Sequence, residues 1–413
     1  MGRKYRYWWH SFLASAVLIA FVYLFDNLPF PFRESTELLT TVENIENNWF
    51  GKTPLVDTTR VFINTGYDLD LVSPRPFRQL KITDREKILR LLRDLDTVAY
   101  KAIFIDIRFE KGLVTPVDSM LVSQILGMRN TYVAKHWNPE TKTDYPLIDG
   151  RLLDKAAYAD YASTIYHASF SRYQFIQANG PSAALKLYED VDRRHISRIG
   201  RGLFSLYFDR YRLCNNASFI RIPEDYSSGE KGGVDNKQRF YDLGEDLYGW
   251  DQGSEFQHAT FSRMKDKVII VGDFVYDMHG TYFGKQPGPY LNYLAYDTLR
   301  SGKHFVNPFL AICVFIVYFL IFFSIFNQIS APAFFQWVKH RKWYQPVSKT
   351  RLFSALRKVR RMMRFVLSFI GYGFLFSVFC AVTLLLFNTS VSVFLPTLSF
   401  SLVHHVVQYK HYE

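Results

Sequence analysis

Residues Lys265–His304 read KDKVIIVGDFVYDMHGTYFGKQPGPYLNYLAYDTLRSGKH, and their reading decides the fold. Lys267–Gly272 is an apolar, β-branched run that stops at glycine, the pattern of a buried strand feeding a loop. The loop Asp273–Pro289 gathers Asp273, Asp277 and His279 among Gly280, Gly284 and Gly288. Tyr290–Leu299 then has helical spacing, and a long apolar run opens at Phe305. Strand, polar loop, helix and membrane segment thus follow one another with almost no linker. An event in the loop is well placed to be felt in a bilayer.

Working outward, four apolar runs stand out, at 9–28, 305–327, 365–387 and 391–409. Each is near the ~20 residues that a helix needs to cross a membrane, the last carrying Pro396, His404 and His405. A cleaved signal peptide is disfavoured for the first run, because large residues and two prolines follow it in DNLPFPF (Asp26–Phe32) rather than a small-x-small site. Residues 29–304 carry 36 Lys and Arg against 36 Asp and Glu, so the net charge of +12 comes from the flanks. Arg3, Lys4 and Arg6 precede the first run, and ten Lys and Arg lie between Lys339 and Arg364. Basic loops stay on the cytoplasmic side. The expected order is therefore a cytoplasmic N-terminus (1–8), an anchor (9–28), an outer domain (29–304), a span (305–327), a basic cytoplasmic loop (328–364), two spans (365–387 and 391–409) and a cytoplasmic tail (410–413). Charge placed beside membrane segments is not a nucleic-acid footprint.

The outer block alternates strands and helices. Arg60–Asn64 (RVFIN) is a strand candidate, and Thr83-Asp84-Arg85-Glu86 has the capping-box pattern, with Thr83 expected as the cap. Ile88, Leu91, Leu92 and Leu95 form one helical face, and Ala102–Ile107 (AIFIDI) is apolar enough for a strand covered on both sides. Asp118–Gly127 and Ser182–Val191 read as helices, and Thr131–Ala134 as a further strand. Arg33–Thr59 reads as a helix or collar above the membrane, and Pro223–Gln257, without period, as a long loop or insertion. The fold expected is an α/β extracytoplasmic domain, with a central, mostly parallel sheet and flanking helices, plus four transmembrane α-helices, one N-terminal and three C-terminal. Cys214 is the single cysteine of the outer block, so its core and not a disulfide must hold it together.

FINTGYDLD, the capped helix, KAIFIDIRF, Asp118 with Leu121, and KVIIVGDF…D…G…YLNYLAYDTLRSG follow in an order that resembles the CHASE type 2 (CHASE2-like) family. These are extracytoplasmic sensor domains of bacterial membrane signalling proteins, and the three apolar runs after the domain extend the likeness. The resemblance implies a multi-pass protein of the bacterial inner membrane that detects an envelope ligand or protein. Family members commonly continue into a kinase or nucleotide-cyclase domain. Only about Gln408–Glu413 follows the last run here, so the output is expected to belong to a separate partner.

Asp106, Asp273, Asp277 and His279 are the candidate ligand contacts, since carboxylate and imidazole also suit divalent cations. For Asp106 the competing reading is a structural hydrogen bond, because buried polar groups are usually satisfied locally. The sequence contains neither GxxxxGK[ST] nor GxSxG, and no zinc spacing, so no catalytic residue, metal or cofactor is assigned. In Arg351–Arg364, Leu352, Phe353, Leu356, Val359 and Met363 share one side, while Arg357, Lys358, Arg360, Arg361 and Arg364 fill the other. That pattern predicts an interfacial helix on anionic lipid or against a partner, with Trp337 and Trp343 as headgroup anchors. The expected function is a non-enzymatic sensor that relays its state through the membrane helices to a separate protein. The alternatives are a structural or assembly subunit of an envelope complex and, third, a metal-dependent enzyme using the four loop and strand residues. Partners expected are the membrane, an envelope ligand or protein, an output or complex partner and, left open, a second copy of the chain.

Overall fold

The computed structural model describes residues 2–27, 59–75, 78–138, 141–159, 172–177, 180–201, 204–219, 240–249, 254–281, 284–327, 352–387 and 392–410. The expected collar over Arg33–Thr59 lies, but for its last residue, outside them. Six strands build a central sheet: β1 (Arg60–Asn64), β2 (Ala102–Asp106), β3 (Thr131–Lys135), β4 (Ala156–Tyr158), β5 (Phe240–Asp242) and β6 (Val268–Gly272). Their order is β5-β1-β6-β2-β3-β4, and every neighbouring pair is parallel. All five residues of β2 and all five of β6 are buried, as parallel strands covered on both faces require.

Alternation along the strands splits the core in two. Ile63, Ile103, Ile105, Ile269 and Val271 face helices α2 (Arg85–Asp96) and α3 (Asp118–Gly127), through Leu91, Leu92, Leu121 and Ile125, and Phe261 of α5 (Ser254–Ser262) joins them. Phe62, Phe104, Val268 and Ile270 face α4 (Ala183–Asp192) and α6 (Gly288–Arg300), through Leu187, Tyr290 and Leu294. The result is a three-layer sandwich.

The structure corrects three expectations. The cap of α2 is Asp84, not Thr83: its carboxylate accepts from the Lys87 backbone N–H at 3.0 Å, while Thr83 ends a hairpin strand paired with Leu69. The chain prefers this register because Thr83 already serves the hairpin Leu69–Arg75/Arg78–Thr83, which sequence reasoning missed. The expected insertion Pro223–Gln257 holds an edge strand, β5, and the start of α5; its part 223–239 lies outside the described residues. Three residues are too few for a strand to show a period.

The third correction concerns the membrane part. Helices α1 (Gly2–Asp26), α7 (Pro308–Phe326), α8 (Leu352–Phe387) and α9 (Phe394–Lys410) share an apolar core that includes Val22, Leu310, Tyr318, Phe322, Phe376 and Phe400. Tyr7–Phe25, Pro308–Phe326 and Phe365–Thr383 are long and apolar enough to cross a membrane, and Phe394–Val407 is a shorter apolar helix. The chain thus has the make-up of a multi-pass membrane protein. The separate interfacial helix expected over Arg351–Arg364 is instead the opening of α8, because no glycine or proline breaks the chain between Leu352 and Phe365. At 36 residues α8 is about 54 Å long, well beyond a hydrocarbon core of about 30 Å.

Candidate functional site

Because the strands are parallel, Asn64, Asp106, Asp242 and Gly272 come together at one edge of the sheet. The chains leaving β1 and β2 go to helices on one face, whereas β6 feeds α6 on the other. Open α/β sheets bind ligands where neighbouring strands diverge in this way, outside their carboxyl ends. The crevice falls on either side of β6.

Each candidate residue has a defined place there. Asp106 is buried, and its Oδ2 accepts from Asn292 Nδ2 at 2.8 Å; Asn292 Oδ1 in turn accepts from the Tyr173 hydroxyl at 2.8 Å. This chain of bonds ties β2 to the second turn of α6. Asp273 turns back on its own loop, accepting from the backbone N–H groups of Val275 and Tyr276, both at 2.8 Å. Asp277 and His279 meet at 3.1 Å beside Gly288, the first residue of α6. A Cβ at Gly288 would stand 2.3 Å from Asp277 Oδ2 and 3.1 Å from His279 Nε2, so glycine is what lets the pair close on the helix. A carboxylate at that positive helix end is favourable.

The structure therefore brings Asp277 and His279 together and engages Asp106 and Asp273 separately. Among the described residues no three His, Cys, Asp or Glu side chains gather as a metal site would require. Two residues at this edge escaped sequence reasoning. Asn64 donates to Asp242 Oδ1 at 2.6 Å and accepts from Gly66 and Phe274 N–H at 3.0 and 3.1 Å, tying the ends of β1, β5 and β6. Gln286 pairs with His279 across the hairpin Met278–Thr281/Gly284–Pro287, is fully buried, and among the described residues neither of its amide atoms has a hydrogen-bond partner. Such an amide costs about 1–3 kcal/mol until a partner supplies a bond.

The other end of α6 is the domain–membrane junction. Only residues 301–307 separate α6 from α7. A small sheet of Ile196–Ile199, Leu206–Asp209 and Arg212–Cys214 clips onto this segment: Asn215 N–H donates to His304 O at 2.8 Å, and Val306 N–H to Leu213 O at 3.0 Å. The same sheet holds α1. Tyr23 donates its hydroxyl to Cys214 O at 2.8 Å, and Asn27 Oδ1 accepts from Asn216 N–H at 2.6 Å.

Beneath these bonds a polar cluster centres on the buried Asp209. Asp209 accepts from the Tyr188 hydroxyl at 2.6 Å, and Arg194 and His304 each stand 3.6 Å from the same oxygen. His304 is fully buried against Phe175, Tyr188 and Phe305, and among the described residues neither ring nitrogen has a hydrogen-bond partner. Burial pushes the His304 imidazole down to about 4, with Asp209 opposing the shift, so the ring is neutral near pH 7. Burial likewise pushes the Cys214 thiol up to about 12, which makes it inert.

Of the expected cytoplasmic contacts, Trp337 and Trp343 lie outside the described residues, while Arg357, Lys358, Arg360 and Arg361 fall in the opening turns of α8. Compared with models of known protein families, with curated proteins and with solved structures, the chain matches none.

Proposed function

We propose that this protein is a CHASE type 2-like membrane sensor of the bacterial inner membrane, with residues 29–304 outside, that relays an envelope ligand or protein to a separate partner. The observation that carries the reading is the course of α6. Its N-terminus abuts Asp277, His279 and the Asp106–Asn292 bond at the sheet edge, and its C-terminus runs into α7 through seven residues. A helix of 13 residues spans about 20 Å as one rigid rod. A ligand that binds two arrangements of the α6 N-terminus differently shifts the equilibrium between them, and α7 shifts with it. The unused amide of Gln286 and the Asp277–His279 pair suit a ligand with both donor and acceptor groups.

The test is a thermal-shift screen of the full chain in nanodiscs against envelope metabolites, joined to crosslinked pull-down from native membranes at Lys339–Arg364. Stabilisation by a metabolite that is lost in Asp277→Ala, together with capture of a kinase, cyclase or regulator, is the expected result. No shift with any metabolite, together with capture of envelope-assembly proteins, would favour a structural subunit instead.

A further inference from the structure

We propose that the small sheet at the junction is itself a membrane-contact surface, seated in the anionic headgroup layer on the domain side of the bilayer. Its depth is set by bonds already described. Tyr23 lies in the last turn of the apolar span Tyr7–Phe25, and its hydroxyl both donates to Cys214 O and accepts from Tyr207 N–H at 3.4 Å. On the other side Leu213 O is held by Val306, two residues before α7 begins. Strands 206–209 and 212–214 are thus clipped between the ends of two membrane helices. The hairpin tip Arg210–Tyr211 stands only three residues from Cys214, about 10 Å in extended chain, comparable with the thickness of the interfacial layer.

What the sheet exposes fits that depth. Tyr207 and Asp209 turn inward and are buried, whereas Leu206 faces outward, paired with Ile199. Tyr211, at the tip between Arg210 and Arg212, is 97% exposed, whereas the exposed Ile199 and Phe204 lie at the far end of the strands, beside Leu206. Tyrosine and arginine both place an apolar body in the boundary and a polar tip in the headgroups. Residues 193–214 hold six arginines and a single acid, Asp209, which is buried; all six arginines are exposed. The tip tyrosine and the arginine charge therefore point to one occupant, an anionic lipid surface. The consequence is mechanical: the segment that clamps α1 to α7 is braced against the bilayer, so the junction senses lipid charge as well as the domain above it.

The experiment uses the full chain with Cys313→Ala, reconstituted in phosphatidylethanolamine–phosphatidylglycerol nanodiscs. An environment-sensitive fluorophore is attached at Tyr211→Cys or, as a control at the membrane-distal sheet edge, at Tyr67→Cys. Both positions are exposed, so neither substitution disturbs the core. The Tyr211 label is expected to be quenched severalfold more than the Tyr67 label by lipid carrying a nitroxide near its headgroup, and severalfold less by aqueous iodide. Replacing phosphatidylglycerol with phosphatidylcholine should weaken the difference. Equal iodide quenching at the two positions, without lipid quenching, would overturn the proposal. So would Tyr211→Cys disulfides between copies in the absence of lipid quenching, which would assign this face to a second chain.

Discussion

The hydroxyl of Tyr23 donates to the carbonyl of Cys214 at 2.8 Å, across 191 positions of sequence. This bond joins the N-terminal membrane helix to the strand that also grips Val306 below α6, so the first and second membrane helices meet the domain at one place. The domain is thus bonded to both helices on that side.

The buried His304 gives the junction a pH dependence. Its pKa lies below the ordinary histidine value of about 6.5, so protons favour any state in which the ring reaches water. The contribution to stability is complete above about pH 6.5 and falls as pH drops toward about 4. Asp209, Arg194 and Arg212 set the local field. Thermal unfolding of the full chain in nanodiscs across this range should show a slope that His304→Leu flattens. An unchanged slope would place the sensitivity elsewhere.

Gly272 should tolerate no side chain. A Cβ there would stand 2.5 Å from Pro289 Cγ and 3.1 Å from Asp106 Cβ, and neither a proline ring nor a strand can yield. Gly272→Ala should push α6 off the end of β2 and cost about 1–3 kcal/mol. Gly127→Ala, with nothing within 4 Å of the new methyl, should be neutral or slightly stabilising. Denaturant unfolding of the two variants tests the contrast.

Arg85 is fully buried and bonds both oxygens of Asp118 at 2.7 Å, with a third bond to the Arg108 carbonyl at 3.0 Å. Arg85→Met strands a buried carboxylate and should cost about 3–5 kcal/mol. Adding Asp118→Asn should recover part of that loss, because the amide oxygen still accepts from Thr115 while the stranded charge is gone. A double variant as unstable as Arg85→Met alone would show that packing, not charge, sets the cost.

How much of this was legible depends on where the information sits. VIIVG, AIFID and Asp118–Gly127 announce themselves, since unbroken apolar runs and helical spacing are local signals. That β6, last in sequence, inserts between β1 and β2 is not local; it follows from which face each helix covers. Asp106, Asp273, Asp277 and His279 were readable as polar residues in telling places, but their separate engagements depend on Asn292, Gly288 and the loop backbone. Asn64 and Asn292 did carry a signal, each a lone amide in an apolar stretch. At the junction the short link into α7 was legible, but its bonds were not, because Tyr23, Asp209, Cys214 and His304 come from segments that meet only in the folded chain.

The central claim is that α6 carries the state of the sheet edge into the membrane. Pulsed electron paramagnetic resonance between nitroxides at Leu320→Cys on α7 and Met363→Cys on α8, both exposed, measures it directly. Asn292→Ala releases α6 from Asp106 while the domain keeps its remaining core contacts. The account predicts a shifted or broadened distance distribution in that variant, with unfolding still cooperative. An identical distribution in the wild-type chain and in Asn292→Ala would contradict it.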